Sequence, residues 1–157
     1  MDKPALLRQI IERLEADRAV IAGQLQAAHE AATHAESKAE NKYDTRGLEA
    51  AYLADGQRRR LHEIEAALAA FRLLGAAPPG AAIRLGALVC LGDAEGERWL
   101  FLGPDGAGLK IRQGDCEVLV ISPRSPLGQA LPGRVEGDEV SVRVDGRECC
   151  YEVLAVR

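Results

Sequence analysis

The sequence predicts an α+β protein, with an N-terminal antiparallel coiled-coil hairpin over residues 1–74 and a C-terminal β-rich domain over residues 83–157. Two observations carry this prediction. Apolar residues recur every seven positions through the first half, and short strand-forming runs alternate with turn sequences through the second half. The Gly- and Pro-rich segment 75–82 lies between them and is predicted to be a linker.

The first helix of the hairpin is predicted over residues 4–42. Its two apolar lines are Leu7, Leu14, Ile21, Ala28, Ala35 and Ile11, Leu25, Ala32, Ala39. A sustained seven-residue repeat of this kind is typical of a coiled coil. Turn and capping residues gather over 41–47, where Asp44 or Thr45 is suited to cap a second helix over 48–74. A turn this short makes the two helices antiparallel.

The predicted seam between the helices changes along its length. Large side chains form its base, namely Leu14, Ile21, Leu61, Ile64, Leu68 and Phe71, and alanines form its tip, at positions 28, 32, 35, 39, 51 and 54. Alanines let helices approach closely and bury little area. Two interpretations remain open at this point: the alanines only raise helix propensity, or the hairpin is slim because it enters a narrow space.

Six strands are predicted in the second half, over 83–91, 98–102, 108–112, 116–122, 140–144 and 149–156, with a short helix over 125–131. The glycine-rich stretch 103–110 ends in lysine but lacks phosphate-loop spacing, so it is predicted to be a hairpin turn. The four cysteines include no C-x-x-C pair, and we expect reduced, buried structural thiols. No nucleophile and base stand together in the sequence.

Composition excludes several functions. The net charge is -4 and aromatic residues make up 4%, so weak or no binding to free DNA is expected. No apolar run approaches the roughly 20 residues that span a bilayer. The first residues alternate charged with apolar side chains, unlike a signal peptide. We therefore expect a cytoplasmic protein without membrane association.

Candidate functional residues lie near the tip. Glu36 and Glu40 are four apart and share a helix face, and Asp44 follows in the turn. Such carboxylates suit Mg²⁺, but they are too few for a tight site unless another macromolecule completes it. The alternative is that both glutamates are solvated charges and Asp44 is a helix cap. Arg58 and Arg59 are weak candidates for nucleic-acid contacts, the alternative again being a solvated face.

Three stretches resemble the bacterial Gre transcript-cleavage factors: ISPRSPLGQALPGRVEGD at 121–138, YEVLAV at 151–156, and RLHEIEAAL at 60–68. The resemblance covers nearly the whole chain in the family's order of hairpin, linker and FKBP-like domain. It implies that Ser125, Pro126 and Leu127 bind RNA polymerase at the mouth of its secondary channel. It also implies that the hairpin enters the channel.

The resemblance further implies that tip carboxylates share a Mg²⁺ with the polymerase active centre, which then cleaves backtracked RNA. The protein would thus be no enzyme and have no cofactor of its own. It would act as a monomer and meet nascent RNA only indirectly. The tip, AESKAENKYD at 35–44, departs from the family pattern, because matching Glu36 and Glu40 to its acidic pair needs a one-residue insertion. Arg124 also stands where the family has Asp or Asn.

Three functions follow from these observations. The first is an elongation factor that stimulates RNA cleavage. The second is a regulator that occupies the secondary channel of RNA polymerase without stimulating cleavage. The third is a coiled-coil adaptor unrelated to polymerase, which the Ser125-Pro126 signature disfavours.

Overall fold

The computed structural model describes residues 1–36, 45–74, 78, 80 and 82–157. Within these ranges the elements are α1 (Lys3–Glu36), α2 (Thr45–Leu73), β1 (Leu88–Asp93), β2 (Gly96–Leu102), β3 (Lys110–Gln113), β4 (Cys116–Ile121), α3 (Pro126–Ala130), β5 (Glu139–Val144) and β6 (Arg147–Val156). The long helical hairpin followed by a β-rich half confirms the predicted α+β class.

The six strands form one sheet in the order β3-β4-β2-β1-β6-β5. Neighbouring strands are antiparallel except β2 and β4, which run parallel with Trp99 opposite Val118. A bulge in β6 opposite Cys90 and Leu91 leaves Leu154 as an extra residue. The sheet thus joins segments that are far apart in sequence.

One face of the sheet carries the hydrophobic core. Alternating strand residues point into it, and intervening residues such as Leu88, Phe101 and Val118 are buried as well, so the central strands are covered on both faces. Leu127 and Ala130 of α3 pack against its edge. Its buried members are Ile83, Ala87, Val89, Leu91, Leu100, Leu102, Ile121, Leu131, Val140, Val142, Tyr151, Val153 and Val156.

The chain packs as two compact units, which differ from a simple division at the linker. One unit comprises Met1–Ile11 with Ala69–Arg157, and the other comprises Glu12–Leu68. In the first, the Phe71 ring stacks on Phe101 with 6.5 Å between ring centroids. The ends of both helices therefore belong to the sheet-containing unit. The division into 1–74, 75–82 and 83–157 stays a prediction.

Burial along α1 corrects the predicted apolar lines. Leu6 and Ile10 are 0% exposed, whereas Leu7 and Ile11, which the seven-residue repeat selects, are half-buried. The repeat assumes that only the other helix covers α1, but residues 1–11 share a unit with the sheet. Further along, the predicted large residues Leu14, Ile64 and Leu68 are buried, while Ile21 and Leu61 are half-buried.

The alanine seam is not buried where the structure describes it. Ala28, Ala32 and Ala51 are exposed, as is every other described side chain over 26–34 and 48–53. Ala54 is half-buried, the side chain of Ala35 is not among those described, and Ala39 lies outside the described residues. The distal part of the described hairpin therefore offers its surface to solvent.

Two predicted boundaries shift. Residues 45–47, predicted as turn, are the first residues of α2. The first strand begins at Leu88 instead of residue 83, because the chain turns at Gly86, whose φ is 85°. Ile83 is buried nonetheless, which explains why its pattern resembled a strand.

Candidate functional site

The segment that carries the predicted partner-binding residues is a capped turn. The Ser125 hydroxyl donates a hydrogen bond to the Ser122 carbonyl at 2.8 Å and accepts one from the Gly128 amide at 3.0 Å. Ser125 is the N-cap of α3, and Pro126 occupies the first helical turn, where a missing amide proton costs nothing. The Ser-Pro pair therefore fixes the local backbone.

Gly128 completes this turn by close approach. A Cβ at this position would overlap the Ser122 carbonyl oxygen, so only glycine fits. Leu127 is half-buried and packs against the core, whereas Pro126 is exposed. Of the three predicted binding residues, Ser125 thus has a structural role within the turn, and Pro126 presents the most accessible surface.

An ion pair beside this turn was missed by the sequence analysis. The Arg124 guanidinium lies 3.6 Å from an Asp105 carboxylate oxygen and is 83% exposed. Asp105 belongs to the glycine-rich turn, where Gly103 donates its amide to the Ile121 carbonyl at 2.9 Å. The pair therefore bridges two loops on the same unit. Such exposed pairs contribute little stability, so its charges remain accessible to a partner.

The predicted acidic tip falls mostly outside the described part of the chain. Glu40 and Asp44 lie outside the described residues, and of Glu36 only the backbone is described, as the last residue of α1. Their role as metal-sharing carboxylates stays a prediction. Among described residues, no group of three His, Cys, Asp or Glu is placed to hold a metal ion.

The arginine run on α2 is largely paired within its own helix. Arg58 lies 2.8 Å from an Asp55 oxygen, and Arg60 lies 3.3 Å from Glu63. Arg59 has no ion pair within the described ranges. Of the two predicted nucleic-acid contacts, Arg59 is thus the one whose charge is not already matched.

The cysteines differ from the expectation of four buried thiols. Cys90 is buried, Cys149 is intermediate, and Cys116 and Cys150 are exposed. Burial, and then the Glu97 carboxylate beside it, raise the pKa of the Cys90 thiol. A raised pKa keeps a thiol protonated and unreactive, as expected of a structural cysteine. All four are free in the structure.

Three exposed apolar side chains on α2 were also not predicted from the sequence. On the distal part of α2, Leu48, Tyr52 and Leu53 are 59%, 72% and 67% exposed. The predicted seam there consisted of Ala51 and Ala54, and the sequence pattern did not predict that these three neighbouring side chains are exposed. No helix in the described ranges is long and apolar enough to cross a membrane.

Comparison with known proteins places these features in one family. The sequence profile described as "Transcription elongation factor, GreA/GreB, C-term" matches residues 78–157. A Transcription elongation factor GreA from Halorhodospira halophila is 31% identical over 157 residues, covering 96% of this chain and 90% of the relative. One from Cereibacter sphaeroides is 34% identical over 98 residues, and the match spans only 62% of either chain.

A solved structure of the transcription factor Gfh1 has 26% sequence identity to this chain and a TM-score of 0.40. The match covers 94% of this chain and 93% of that one.

Proposed function

Because this chain belongs to the GreA/GreB family of transcription elongation factors, we propose that it binds RNA polymerase at its secondary channel and stimulates cleavage of backtracked RNA. The observation that carries the proposal is the family match over residues 78–157, which includes the capped turn at Ser125. That turn is rigid and presents an exposed Pro126 beside the core-anchored Leu127. A preorganised apolar surface of this kind suits docking, because little conformational entropy is lost on binding.

The hairpin supplies the second part of the proposal. Exposed apolar side chains on its distal part gain by burial against a partner, and the interior of a polymerase channel would cover them. In the sequence, residues 37–44 of the tip lie between Glu36, the last residue of α1, and this part of α2.

At the tip, Glu36, Glu40 and Asp44 would complete the ligand set of a Mg²⁺ in the polymerase active centre. Mg²⁺ takes oxygen ligands and keeps several waters, so a few donated carboxylates suffice when another molecule supplies the rest. Such an ion activates water and neutralises charge on the scissile phosphate. The protein would thus stimulate hydrolysis by the polymerase without catalysing it alone, as a cytoplasmic monomer.

A second candidate function is supported by the tip sequence. Glu36 and Glu40 are spaced by four positions instead of the family's three. This spacing changes the geometry with which the two carboxylates would bind the same Mg²⁺. In this alternative the protein occupies the secondary channel and cleavage is not stimulated.

The decisive experiment uses a stalled, backtracked elongation complex. Wild-type protein with Mg²⁺ should release 3′-terminal RNA fragments, and Glu40→Gln should abolish release while binding is retained. Glu49→Gln, an exposed carboxylate on α2 without a described partner, is the matched control and should act as wild type.

The outcomes separate the candidates. Binding without cleavage at any Mg²⁺ concentration favours channel occupancy. Normal cleavage by a Glu36→Gln, Glu40→Gln double variant leaves Asp44 as the remaining carboxylate. A chain that does not bind polymerase at all overturns both candidates.

A further inference from the structure

An apolar groove opens in the unit that contains residues 1–11 and 69–157. Its walls come from the start of α1 and the end of α2, and Phe101 of β2 lies against them. Its volume is about 190 Å³. The apolar side chains that line it include Leu7, Ile11 and Leu74, all of them half-buried. The groove is separate from the capped turn at Ser125, since no residue of that turn lines it.

The size of the groove indicates what fills it. Pockets for drug-sized ligands and cofactors have volumes of about 300–1,000 Å³. A groove of about 190 Å³ is too small for these, but it accommodates one large apolar side chain. Its half-buried walls lose contact with water when such a side chain enters, which favours binding.

The charges around the groove are of one sign. Lys3 and Arg8 line it, and Arg84 lies close enough that its charge acts on Lys3. Burial, and then the Arg84 guanidinium, lower the pKa of Lys3. No acidic side chain is among the lining residues, and neither Arg8 nor Arg84 has an ion pair in the described part of the chain. This local excess of positive charge contrasts with a net charge of -4.

We propose that this groove is a second docking site for RNA polymerase, which inserts one large apolar side chain from an acidic segment of its surface. Carboxylates flanking that side chain would meet Arg8 and Arg84. A nucleic-acid backbone is a poorer occupant, because its phosphates would match the cations and leave the apolar walls against water. This inference rests on the proposed function and adds a contact that the Ser125 turn does not provide.

The test compares two charge-reversed variants of equal net charge. Arg8→Glu with Arg84→Glu changes the groove, and Arg143→Glu with Arg147→Glu changes two exposed arginines on β5 and β6. Core RNA polymerase is titrated with each protein and with wild type, and thermal melting checks the fold. The groove variant should bind roughly tenfold or more weakly than wild type, while the control changes binding less than about twofold.

A neutral variant tests the apolar part. Leu7→Gln should also weaken binding severalfold, and its effect should persist at high salt, where the charge contribution is screened. Equal binding by the groove variant and the β5–β6 control overturns the inference while the proposed function stands. Wild-type protein that fails to bind polymerase overturns both.

Discussion

The two compact units differ at certain glycines in the space that is left for a side chain. In the sheet-containing unit, a Cβ on Gly128 would overlap the Ser122 carbonyl, and one on Gly103 would lie 2.7 Å from the Phe71 ring. In the unit of residues 12–68, a Cβ on Gly23 or Gly56 would meet nothing within 4 Å. Close approach is thus confined to particular positions of the sheet-containing unit, since other glycines of that unit, such as Gly133 and Gly146, also meet nothing within 4 Å.

This difference fits two tasks. A docking surface has to keep its shape, and the capped turn at Ser125 does so through contacts that a single methyl group disrupts. A hairpin that enters a partner has to expose its surface, so its stability rests on a few buried residues such as Leu14, Ile64 and Leu68. The comparison predicts where substitutions are tolerated.

The largest effect is expected at Gly128. Gly128→Ala forces Ser122 and the start of α3 apart, and we expect a loss of about 4 kcal/mol in the free energy of unfolding of the sheet-containing unit. Urea denaturation followed by fluorescence of the single tryptophan, Trp99, measures it. A loss below about 1 kcal/mol would mean that the backbone of this turn shifts to make room for the methyl group at little cost.

A buried and an exposed leucine of α2 test whether burial determines the effect of a substitution inside the helical unit. Leu68 is 1% exposed and Leu53 is 67% exposed. Leu68→Ala should lower the free energy of unfolding by about 3 kcal/mol, and Leu53→Ala should change it by less than about 0.5 kcal/mol. Circular dichroism at 222 nm during melting measures both, and similar losses would contradict the burial gradient.

Removing the N-cap has a smaller expected effect. Ser125→Ala leaves the Gly128 amide without its hydrogen bond and should cost about 1 kcal/mol. Ser125→Thr retains both the donor and the acceptor and is the matched control. If polymerase binding falls far more than stability does, the hydroxyl contacts the partner as well.

The smallest expected effect is a gain. Gly23→Ala adds a methyl group to the interior of α1 in open space, so it should stabilise the hairpin by about 0.5–1 kcal/mol. A lower melting temperature for this variant would show that residue 23 is closely approached, and the two units would then be more alike than described.

The sequence predicted features that depend on neighbouring residues. All six strands overlap their predicted ranges, and α3 lies within the short helix predicted over 125–131. The predictions were wrong where contacts with residues far away in the sequence determine which side chains are buried. Leu6 and Ile10 are buried in a unit that also holds the sheet, which the helical period cannot reveal, and Ile83 is buried although it lies outside any strand.

In the candidate site, too, local features were predicted from the sequence and long-range contacts were not. The Ser125 segment was identified from the sequence, but its hydrogen bonds to Ser122 and Gly128 depend on backbone geometry. The Asp105–Arg124 pair and the groove beside Leu7 join residues that are far apart in the chain. A local sequence pattern therefore does not predict them.

The strand order has a kinetic consequence. The β1–β6 pair sets Val89 opposite Val156, so this part of the sheet forms only after the long chain segment between them has been ordered. Helices form from contacts between near neighbours and do so within microseconds, whereas long-range strand pairing is slower by orders of magnitude. During refolding, helical ellipticity should therefore return before the fluorescence of Trp99, which reports on β2 between β1 and β4.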